Sequence, residues 1–337
     1  MGINLGNLIP RKKIKLEDLA GRKIAVDSSN MLYQFISSIR QRDGTLLMDK
    51  HGNVTSHLLG LLTRSTNLME KGLQLAFVFD GKMPEMKHSE MIGREQRKIE
   101  AEQQYLEARE KEDTESMYKL SMRTARLTKP MIDEAKLLIK ALGMPVIQAP
   151  FEADAQAAYM CQHEDVWAVA SSDMDTLLHN STRMLPNLTL SQKRKTKTGI
   201  VYTSPELIEL KEVLKELNIN QDQLIALGIL VGTDYNPGGV HGIGPKKALK
   251  LVKETKKLDE IFKKANANFD WLAIYNLFKT MPKTKDYQLK WIKPDADAVK
   301  SLLVDKHDFS EERVESVLAR VLKEGNKRQQ SSLNKWS

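Results

Sequence analysis

Acidic residues end four short apolar runs of this sequence, and side chains of this type in this pattern could bind metal ions. The runs are RKIAVD to Asp27, LQLAFVFD to Asp80, MPVIQAPFE to Glu152, and VWAVASSDMD to Asp173 and Asp175. Carboxylates that crowd together repel one another unless cations compensate their charge. Oxygen ligands alone suit the hard ions Mg²⁺ and Mn²⁺ rather than Zn²⁺. The pattern therefore predicts a divalent-metal site if the fold brings these acids together.

The stretch APFEADAQAAYM adds Asp154, two residues after Glu152, at the start of an alanine-rich segment. Two interpretations of this pair stay open. Acids are favoured in the first turn of a helix because of the macrodipole, and the same two acids could be ligands of the metal site. Asp27 alone is equally ambiguous, because aspartate is a preferred N-cap residue.

The segments between the acidic runs have helical periodicity. They are SSNMLYQFISSIRQ, TSHLLGLLTRSTNLMEKG, MIDEAKLLIKALG and EADAQAAYMCQ. Strands that alternate with helices form a mainly parallel sheet with helices on both faces. The strands of such a sheet present their carboxyl ends at one edge, where ligands bind. The sequence therefore predicts an α/β fold in which the acids converge.

The composition limits the class of partner and the compartment. A formal net charge of +8 and a pI of about 9.2 favour an anionic partner. No apolar run reaches the roughly 18–20 residues of a membrane span, and MGINLGNLIPRKK lacks the apolar core of a secretory signal. The only cysteine, Cys161, excludes an intramolecular disulfide and predicts a reducing, intracellular location. The seven histidines are scattered without the spacing of a zinc site.

A seventh acid, Asp234, lies in LGILVGTDYNPGGVHGIGPKKALKLV. The segment from Gly239 to Ala248 fits a helix–hairpin–helix, with a tight glycine turn, Pro245 at a helix start and lysines in the first turn. Backbone N–H groups at such a turn bind phosphate without reading bases. An ordinary glycine-rich connection between helices is the alternative.

Ordered segments along the whole chain resemble the structure-specific 5′ nucleases, and most closely the archaeal and eukaryotic flap endonucleases. These segments are MGINLGNLIPRK, IAVDSSNMLYQF, IRQRDGTLLMD, TSHLLGLL, FVFDGKMPE, SSDMDTLL, ILVGTDYNPGGVHGIGPKKAL, HDFSEERV and QQSSLNKW. The resemblance implies a PIN-like fold, with one catalytic domain over residues 1–325 and a flexible tail over 326–337. The implied parts of the domain are an N-terminal nuclease region (1–98), a helical arch (82–129), an internal nuclease region (116–258) that contains the helix–hairpin–helix (224–254), and a C-terminal helical part (259–325).

The resemblance assigns metal binding to seven acids: Asp27, Asp80, Glu152, Asp154, Asp173, Asp175 and Asp234. The first four would serve one Mg²⁺ and the last three a second, with Mn²⁺ as the alternative ion. Two such ions, roughly 3.5–4 Å apart, activate the attacking water and stabilise the leaving oxygen. The implied reaction is phosphodiester hydrolysis that leaves a 5′-phosphate and a 3′-hydroxyl. The family has Glu-x-Glu where this chain has Glu152-Ala153-Asp154, so the shorter Asp154 favours a water-mediated contact.

Residues 82–129 are highly charged and have few large apolar side chains, so they cannot fill a core and should project from the domain. Lys87, Arg94 and Lys98 lie along one face of a predicted helix. The resemblance makes this segment the arch through which a single-stranded flap threads. Lys87 and Arg94 would then be catalytic residues that steer the scissile phosphate. From charge alone, a solvated helix is the alternative.

The resemblance also implies DNA contacts in the first part of the chain. Tyr33 would stack on a base, Arg40 and Arg64 would contact duplex phosphates, and residues 36–62 would form a wedge that kinks the template. From the residues alone, Tyr33 could be a core tyrosine and the two arginines could be salt-bridged at the surface.

Further DNA-binding positions are expected around the hairpin. Counted with Glu152 and Asp234, they are Gly232, Gly242, Gly244, Lys246 and Lys247. The resemblance also implies a K⁺ ion near residues 232–239. The basic loop SQKRKTKTG over residues 191–199 could touch duplex phosphates or could be a solvated hairpin end.

The final segment QQSSLNKWS resembles the peptide by which replication enzymes dock on the sliding clamp. Gln330, Leu333 and Trp336 fit its spacing, whereas Ser337 occupies the second aromatic position. A frayed terminus is the alternative, although a tryptophan in a polar tail favours a docking anchor. The implied partners are branched DNA and the clamp, with DNA ligase and polymerase acting in sequence, for a chain that is monomeric alone and does not enter membranes.

The leading hypothesis is a Mg²⁺-dependent 5′-flap endonuclease with 5′–3′ exonuclease activity, which matures Okazaki fragments in DNA replication and acts in repair. Two alternatives stay open: an inactive, clamp-tethered binder of DNA junctions, and a sister nuclease for gapped, bubble or four-way DNA. The complete acidic set favours catalysis, since a pure binder has no use for negative charge where phosphate must lie. The short arch and the tail favour the flap enzyme.

Overall fold

The sheet at the centre of the protein is mainly parallel, as predicted. The computed structural model describes residues 3, 5–41, 43–188, 193–196, 199–202 and 204–333. Its strands are β1 (Lys12–Lys13), β2 (Lys23–Asp27), β3 (Gln74–Phe79), β4 (Val146–Gln148), β5 (Ala168–Ala170), β6 (Arg183–Met184), β7 (Lys193–Thr196), β8 (Gly199–Tyr202) and β9 (Glu206–Glu209). Seven of them form one sheet in the order β1-β9-β6-β5-β2-β3-β4, in which β6 to β4 run parallel and β9 is antiparallel to both of its neighbours, β6 and β1.

Helices cover both faces of this sheet, and two further helices form the predicted arch segment. They are α1 (Ser28–Ser38), α2 (Ser56–Gly60), α3 (Thr66–Glu70), α4 (His88–Glu110), α5 (Thr114–Ser121), α6 (Lys129–Ala141), α7 (Ala153–Gln162), α8 (Asp175–Leu178), α9 (Leu210–Leu217), α10 (Gln221–Val231), α11 (Pro245–Glu254), α12 (Leu258–Lys264), α13 (Trp271–Thr280), α14 (Ala296–Lys300) and α15 (Glu311–Leu333). Short π-helical turns continue α2 and α14 over Leu61–Ser65 and Ser301–Asp305. None of the described helices combines the length and apolarity that a membrane crossing needs.

Strand β2 shows why the sheet needs both layers. Its central residues are fully buried, with Ile24 and Val26 in the cluster that contains α1 and α6, and Ala25 in the cluster that contains α7. A strand that is apolar on both sides is typical of a parallel sheet between two layers of helices. Fully burying a side chain such as Ile24 stabilises the fold by about 1.5–3 kcal/mol.

Two predicted strands are shorter than the sequence pattern suggested. The prediction extended the third strand to Glu152, but β4 ends at Gln148, and Glu152 instead precedes α7 as its N-cap residue. Pro150 has no N–H group for a ladder, and its carbonyl accepts a hydrogen bond from Lys82 N (2.9 Å) in the loop after β3. The fourth predicted strand ends at Ala170, well before Asp173.

The predicted arch segment forms two packed helices, α4 and α5. Only Ala101 and Ala108 are buried along the 23 residues of α4. Such a helix contributes almost nothing to the apolar core, which agrees with the composition of residues 82–129. Ion pairs brace it locally, including Arg126 with Glu95 (2.9 Å) and with Glu102 (3.1 Å).

The predicted helix–hairpin–helix is α10, a loop and α11. Gly232 and Gly239 both have positive φ, of +114° and +60°. A Cβ atom on Gly239 would lie 2.4 Å from the Leu230 carbonyl oxygen, so the two backbone segments meet where only glycine fits. Gly242 also has positive φ (+74°) but open space around it, while Gly244 is the extended N-cap of α11. The loop is therefore closed by backbone packing, together with the Asn236 side chain, which donates to the Ile229 carbonyl (2.7 Å).

A buried polar cluster joins the predicted wedge to the C-terminal helices. The His307 ring faces the carboxylate of Asp49 through Nδ1 (2.8 Å) and that of Glu134 through Nε2 (3.1 Å). His57 lies beside it, with Nε2 3.8 Å from Glu134 Oε2 and no hydrogen-bond partner for either ring nitrogen among the described residues. This cluster attaches the turn at Asp49 to α6 and to the segment after α14.

Burial lowers the pKa of His57 to about 4, against an opposing effect of the Glu134 charge. Because its folded pKa lies below the unfolded value, His57 costs stability as the pH falls from about 6.5 toward 4.5. The free energy of unfolding of the wild type should therefore fall by about 2 kcal/mol more than that of His57→Phe over this pH range. Denaturant unfolding at several pH values measures this difference. His241→Gln at an exposed position is the control for loss of a histidine. Parallel pH profiles for wild type and His57→Phe would contradict the expectation.

Candidate active site

Strand β2 delivers Asp27 to the carboxyl edge of the sheet, where its side chain has two partners. Oδ1 accepts a hydrogen bond from Asn30 N (3.0 Å), so Asp27 is the N-cap of α1. Oδ2 accepts one from Ser171 Oγ (3.2 Å), which follows the neighbouring strand β5. The capping interpretation is therefore correct, and it is compatible with a place in a larger acidic site.

Strand β3 delivers Asp80 to the same edge. Its Oδ1 accepts a hydrogen bond from Ala153 N (2.8 Å) at the start of α7, and its Oδ2 accepts one from Ser29 Oγ. Asp80 therefore connects the ends of β2 and β3 to the segment that carries Glu152 and Asp154.

Glu152 and Asp154 do not cap α7 with their side chains. Glu152 Oε1 pairs with Lys87 Nζ, and Oε2 accepts a hydrogen bond from the Tyr235 hydroxyl. Asp154 Oδ1 accepts one from Thr176 Oγ1 (2.8 Å) in α8. Both side chains therefore point toward the acidic centre rather than back to their own helix.

Asp173, Asp175 and Asp234 complete the set. Asp173 Oδ1 accepts a hydrogen bond from Asp175 N (3.0 Å), and Asp175 Oδ1 accepts one from Ile3 N (3.1 Å). Asp234 follows α10 and pairs through Oδ2 with Lys87 Nζ (3.1 Å) and through Oδ1 with Arg94. The fold thus brings all seven predicted acids to one site, although they come from segments up to 207 positions apart.

Burial and mutual repulsion raise the pKa of most of these carboxyls. Burial raises the pKa of Asp27 to about 7, and the nearby Asp80 adds to the effect. Burial also raises the pKa of Asp154 and Asp175 well above the usual range, with neighbouring aspartates contributing. A buried set of oxygen donors that repel one another is chemically suited to hard divalent cations.

Two cationic side chains of the predicted arch segment, Lys87 and Arg94, face the acids. Among the described residues, no group of three or more His, Cys, Asp or Glu side chains is already arranged to hold a metal ion. Lys87 and Arg94 instead hold oxygens of Glu152 and Asp234. Burial would raise the pKa of Asp234, but the two cations outweigh it and lower that pKa. Burial would likewise lower the pKa of Lys87, and the charges of Glu152 and Asp234 raise it instead.

Protein-family models and curated proteins are similar to this sequence. The XPG N-terminal domain matches residues 1–101 and the XPG I-region matches residues 143–234. Flap endonuclease 1 of Thermococcus onnurineus is 49% identical over 338 residues, which cover 100% of this chain and 99% of that protein. The chain belongs to the flap endonuclease family. This membership confirms the predicted activity of a structure-specific flap endonuclease.

Solved structures of related nucleases are similar to the structure of this flap endonuclease. Flap endonuclease-1 of Methanococcus jannaschii has a TM-score of 0.78 at 39% identity, over 97% of this chain and 100% of the other. The catalytic core of Rad2 in complex with a DNA substrate has a TM-score of 0.69 at 22% identity, over 92% and 96%. The second likeness supports the fold alone, and the predicted PIN-like 5′-nuclease fold is confirmed.

The predicted DNA-contacting residues of this flap endonuclease have different surroundings. Tyr33 is 41% exposed, which rules out the core interpretation, and Lys98 Nζ lies 5.5 Å from its ring centroid. Arg40 is half-buried and donates from Nη1 to the Gly44 carbonyl (2.9 Å) and from Nε to the Ser37 carbonyl (3.3 Å). Arg40 is therefore not the salt-bridged surface residue of the alternative, since it braces the wedge backbone. Arg64 is half-buried in the π-helical turn after α2.

The hairpin positions lie together at the start of α11. Gly242, Gly244, Lys246 and Lys247 are exposed, and Lys247 Nζ donates to the Gly242 carbonyl (3.3 Å). In the segment predicted to bind the clamp, Gln330 and Leu333 belong to α15, while Trp336 and Ser337 lie outside the described residues. Of the basic loop, residues 191, 192, 197 and 198 also lie outside the described residues; its described strands, β7 and β8, pair antiparallel.

Three partners of the acids escaped prediction from the sequence. Tyr235, Thr176 and Ser29 donate to Glu152, Asp154 and Asp80 respectively. Each follows a predicted acid by one or two positions, so adjacency to a candidate ligand is the signal that could have identified them. Burial and the charge of Glu152 raise the pKa of the Tyr235 hydroxyl.

Proposed function

We propose that the seven acids of this flap endonuclease hold two Mg²⁺ ions, with Mn²⁺ as a substitute. Nucleases of this family depend on metal ions and bind branched DNA. Asp27, Asp80, Glu152 and Asp154 would serve one ion, and Asp173, Asp175 and Asp234 the other. The supporting observation is the convergence of seven acidic side chains, six of them buried or half-buried and Asp80 exposed, on one sheet edge that faces two cations. When bound, the ions activate water for attack and stabilise the charge on the scissile phosphate.

Asp154 would contribute less directly than Glu152. Its Oδ1 is taken by Thr176 (2.8 Å), and its side chain is one methylene shorter than the glutamate of the family pattern. A contact through water is therefore favoured, as the sequence predicted. Glu152 Oε1, in contrast, has Lys87 as its partner within the part of the chain that the structure describes.

Lys87 and Arg94 are proposed as catalytic residues. In the DNA-free protein their charges compensate Glu152 and Asp234. A scissile phosphate that arrives at the acidic edge offers a second anionic partner, and fixed cations stabilise charge that develops on a phosphoryl group. Glu90 holds Arg94 Nε at 2.9 Å and so directs this guanidinium toward the site.

The exposed ring of Tyr33 is proposed to stack on a base next to the cleavage point. Stacking contributes roughly 1–3 kcal/mol per base without regard to sequence. We expect Tyr33→Ala to weaken flap binding or slow cleavage about tenfold, while Tyr33→Phe stays near the wild type. The measurement is single-turnover cleavage over a range of enzyme concentrations. Equal loss in both variants would show that the hydroxyl matters rather than the ring.

The duplex is proposed to lie along the wedge and the helix–hairpin–helix. The N–H groups at the start of α11, with exposed Lys246 and Lys247, are suited to backbone phosphates. Arg40 and Arg64 would contribute from the wedge side, and a K⁺ ion would bind near residues 232–239. Gln330, Leu333 and Trp336 would dock on the sliding clamp, which places the cut beside polymerase and ligase.

The decisive experiment compares cleavage of 5′-flap, nicked, bubble and four-way DNA in Mg²⁺ and in EDTA. The expected result is a Mg²⁺-dependent cut at the base of the flap that leaves a ligatable nick. Flap binding without any cleavage would instead support the inactive junction binder. A preference for bubble or four-way DNA would support the sister nuclease.

A further inference from the structure

Tyr235 is a buried aromatic residue whose only polar end points into the acidic site. Its side chain is packed in the core, where the residue is 6% exposed, and its ring contacts that of Phe278 edge to face, with centroids 5.3 Å apart at 69°. Its backbone N–H donates to Thr233 Oγ1 (3.1 Å). The hydroxyl donates to Glu152 Oε2. Ring and backbone are thus fixed independently of the hydroxyl.

The two oxygens of Glu152 have partners of different kinds. Oε1 pairs with Lys87, which precedes the largely exposed helix α4 of the arch. Oε2 pairs with a phenol that belongs to the core between α10 and α13. Lys87 lies in the turn that precedes the arch helix, whereas the phenol is fixed by its packing on Phe278. A neutral donor also adds no positive charge that would oppose a metal ion.

We propose that Tyr235 is a positioning residue that fixes Glu152 Oε2 and thereby presents Oε1 to the metal ion. This inference rests on the proposed metal-binding role of Glu152. A carboxylate held through one oxygen has fewer orientations to lose on binding a metal. Partners that orient a ligand in this way typically change metal affinity or activity by 10–100-fold when removed.

Tyr235→Phe tests the role because it keeps the ring and removes only the hydroxyl. The readout is Mn²⁺ binding to the DNA-free, full-length protein, measured by electron paramagnetic resonance and calorimetry. We expect about tenfold weaker Mn²⁺ binding. The Mn²⁺ concentration that gives half-maximal flap cleavage should rise by a similar factor, with most of the rate recovered at saturating metal. Flap binding in EDTA should be unchanged.

Tyr287→Phe is the matched control. The Tyr287 hydroxyl also donates to a carboxylate, Asp165 Oδ2 (2.5 Å), but away from the acidic site. Its removal should leave Mn²⁺ affinity unchanged. If losing any tyrosine–carboxylate hydrogen bond weakened Mn²⁺ binding, both variants would lose Mn²⁺ affinity alike, and that result would overturn the proposal.

A double-mutant cycle with Glu152→Gln separates positioning from a structural effect. If Tyr235 acts through Glu152, Tyr235→Phe should have no further effect on Mn²⁺ affinity in the Glu152→Gln background. Additive losses, or wild-type Mn²⁺ affinity in Tyr235→Phe, would overturn the inference while the metal site itself stands. Absence of Mn²⁺ binding by the wild type, or wild-type affinity in Glu152→Gln, would instead refute the proposed metal-binding role of Glu152.

Discussion

Replacing Asp175 by asparagine is expected to abolish cleavage while flap DNA stays bound. Asparagine keeps an oxygen that can accept the hydrogen bond from Ile3 N, so the local fold should persist. It removes one negative charge from a buried group of carboxylates and one ligand from the proposed metal site. We expect the single-turnover rate to fall about 10³-fold or more. Flap affinity should stay the same or increase, because one source of repulsion toward phosphate is gone.

Quenched-flow cleavage and fluorescence anisotropy on the same flap measure the two quantities for Asp175→Asn. Asp165→Asn is a suitable control, since Asp165 pairs with Tyr287 outside the acidic site. This control should cleave at the wild-type rate. A rate for Asp175→Asn within tenfold of the wild type would show that Asp175 is not a metal ligand.

Replacing Lys87 by alanine is expected to have two opposite effects. Cleavage should slow by about 10²–10³-fold, with flap affinity within a few-fold of the wild type, because the ammonium group acts on charge that develops during the reaction. Divalent-ion affinity of the DNA-free protein should rise by about fivefold or more, because Lys87 no longer occupies oxygens of Glu152 and Asp234.

Lys119→Ala tests whether these effects belong to Lys87 or to any arch lysine. Lys119 lies in α5, and its side chain is 67% exposed in a pair with Glu115. It should alter neither the rate nor the metal affinity. Equal losses of rate and flap affinity in Lys87→Ala would show that Lys87 only positions DNA. Unchanged metal affinity would show that the ion pairs seen without DNA do not compete with metal.

Local sequence patterns predicted the frame of the site but not its contacts. Strand β2 and its acid, Asp27, follow directly from an apolar run that ends in a capping residue. Glu152 lies at the start of a helix, as its alanine-rich segment predicted, but the end of the preceding strand was wrong by four positions because the run across the proline break was interpreted as one strand. Apolar periodicity distinguishes a strand from a helix. It cannot show at which residue the backbone stops pairing with the neighbouring strand and begins to form hydrogen bonds with a loop.

Contacts between distant segments lay beyond such patterns. Arg94 and Asp234 are 140 positions apart, and Glu152 and Tyr235 are 83 apart. The family resemblance assigned roles to Arg94 and Asp234, but nothing in the sequence indicated that they pair in the absence of DNA. Tyr235 was overlooked because an aromatic residue beside a glycine-rich loop resembles ordinary packing.

If the proposed metal site holds, the pairing of Lys87 with Glu152 and Asp234 would make metal and substrate cooperative ligands. The same ammonium group cannot neutralise these carboxylates and a phosphate at once, so each phosphate that attracts it frees oxygens for a cation. By thermodynamic reciprocity, bound cations must then raise the affinity for correctly placed phosphate by the same factor. Some DNA duplexes would contact the hairpin without placing a phosphate near the seven acids. Such a duplex would leave Lys87 paired with Glu152 and Asp234. On this proposal, discrimination between junctions and plain DNA would begin in this charge exchange, before any bond is broken.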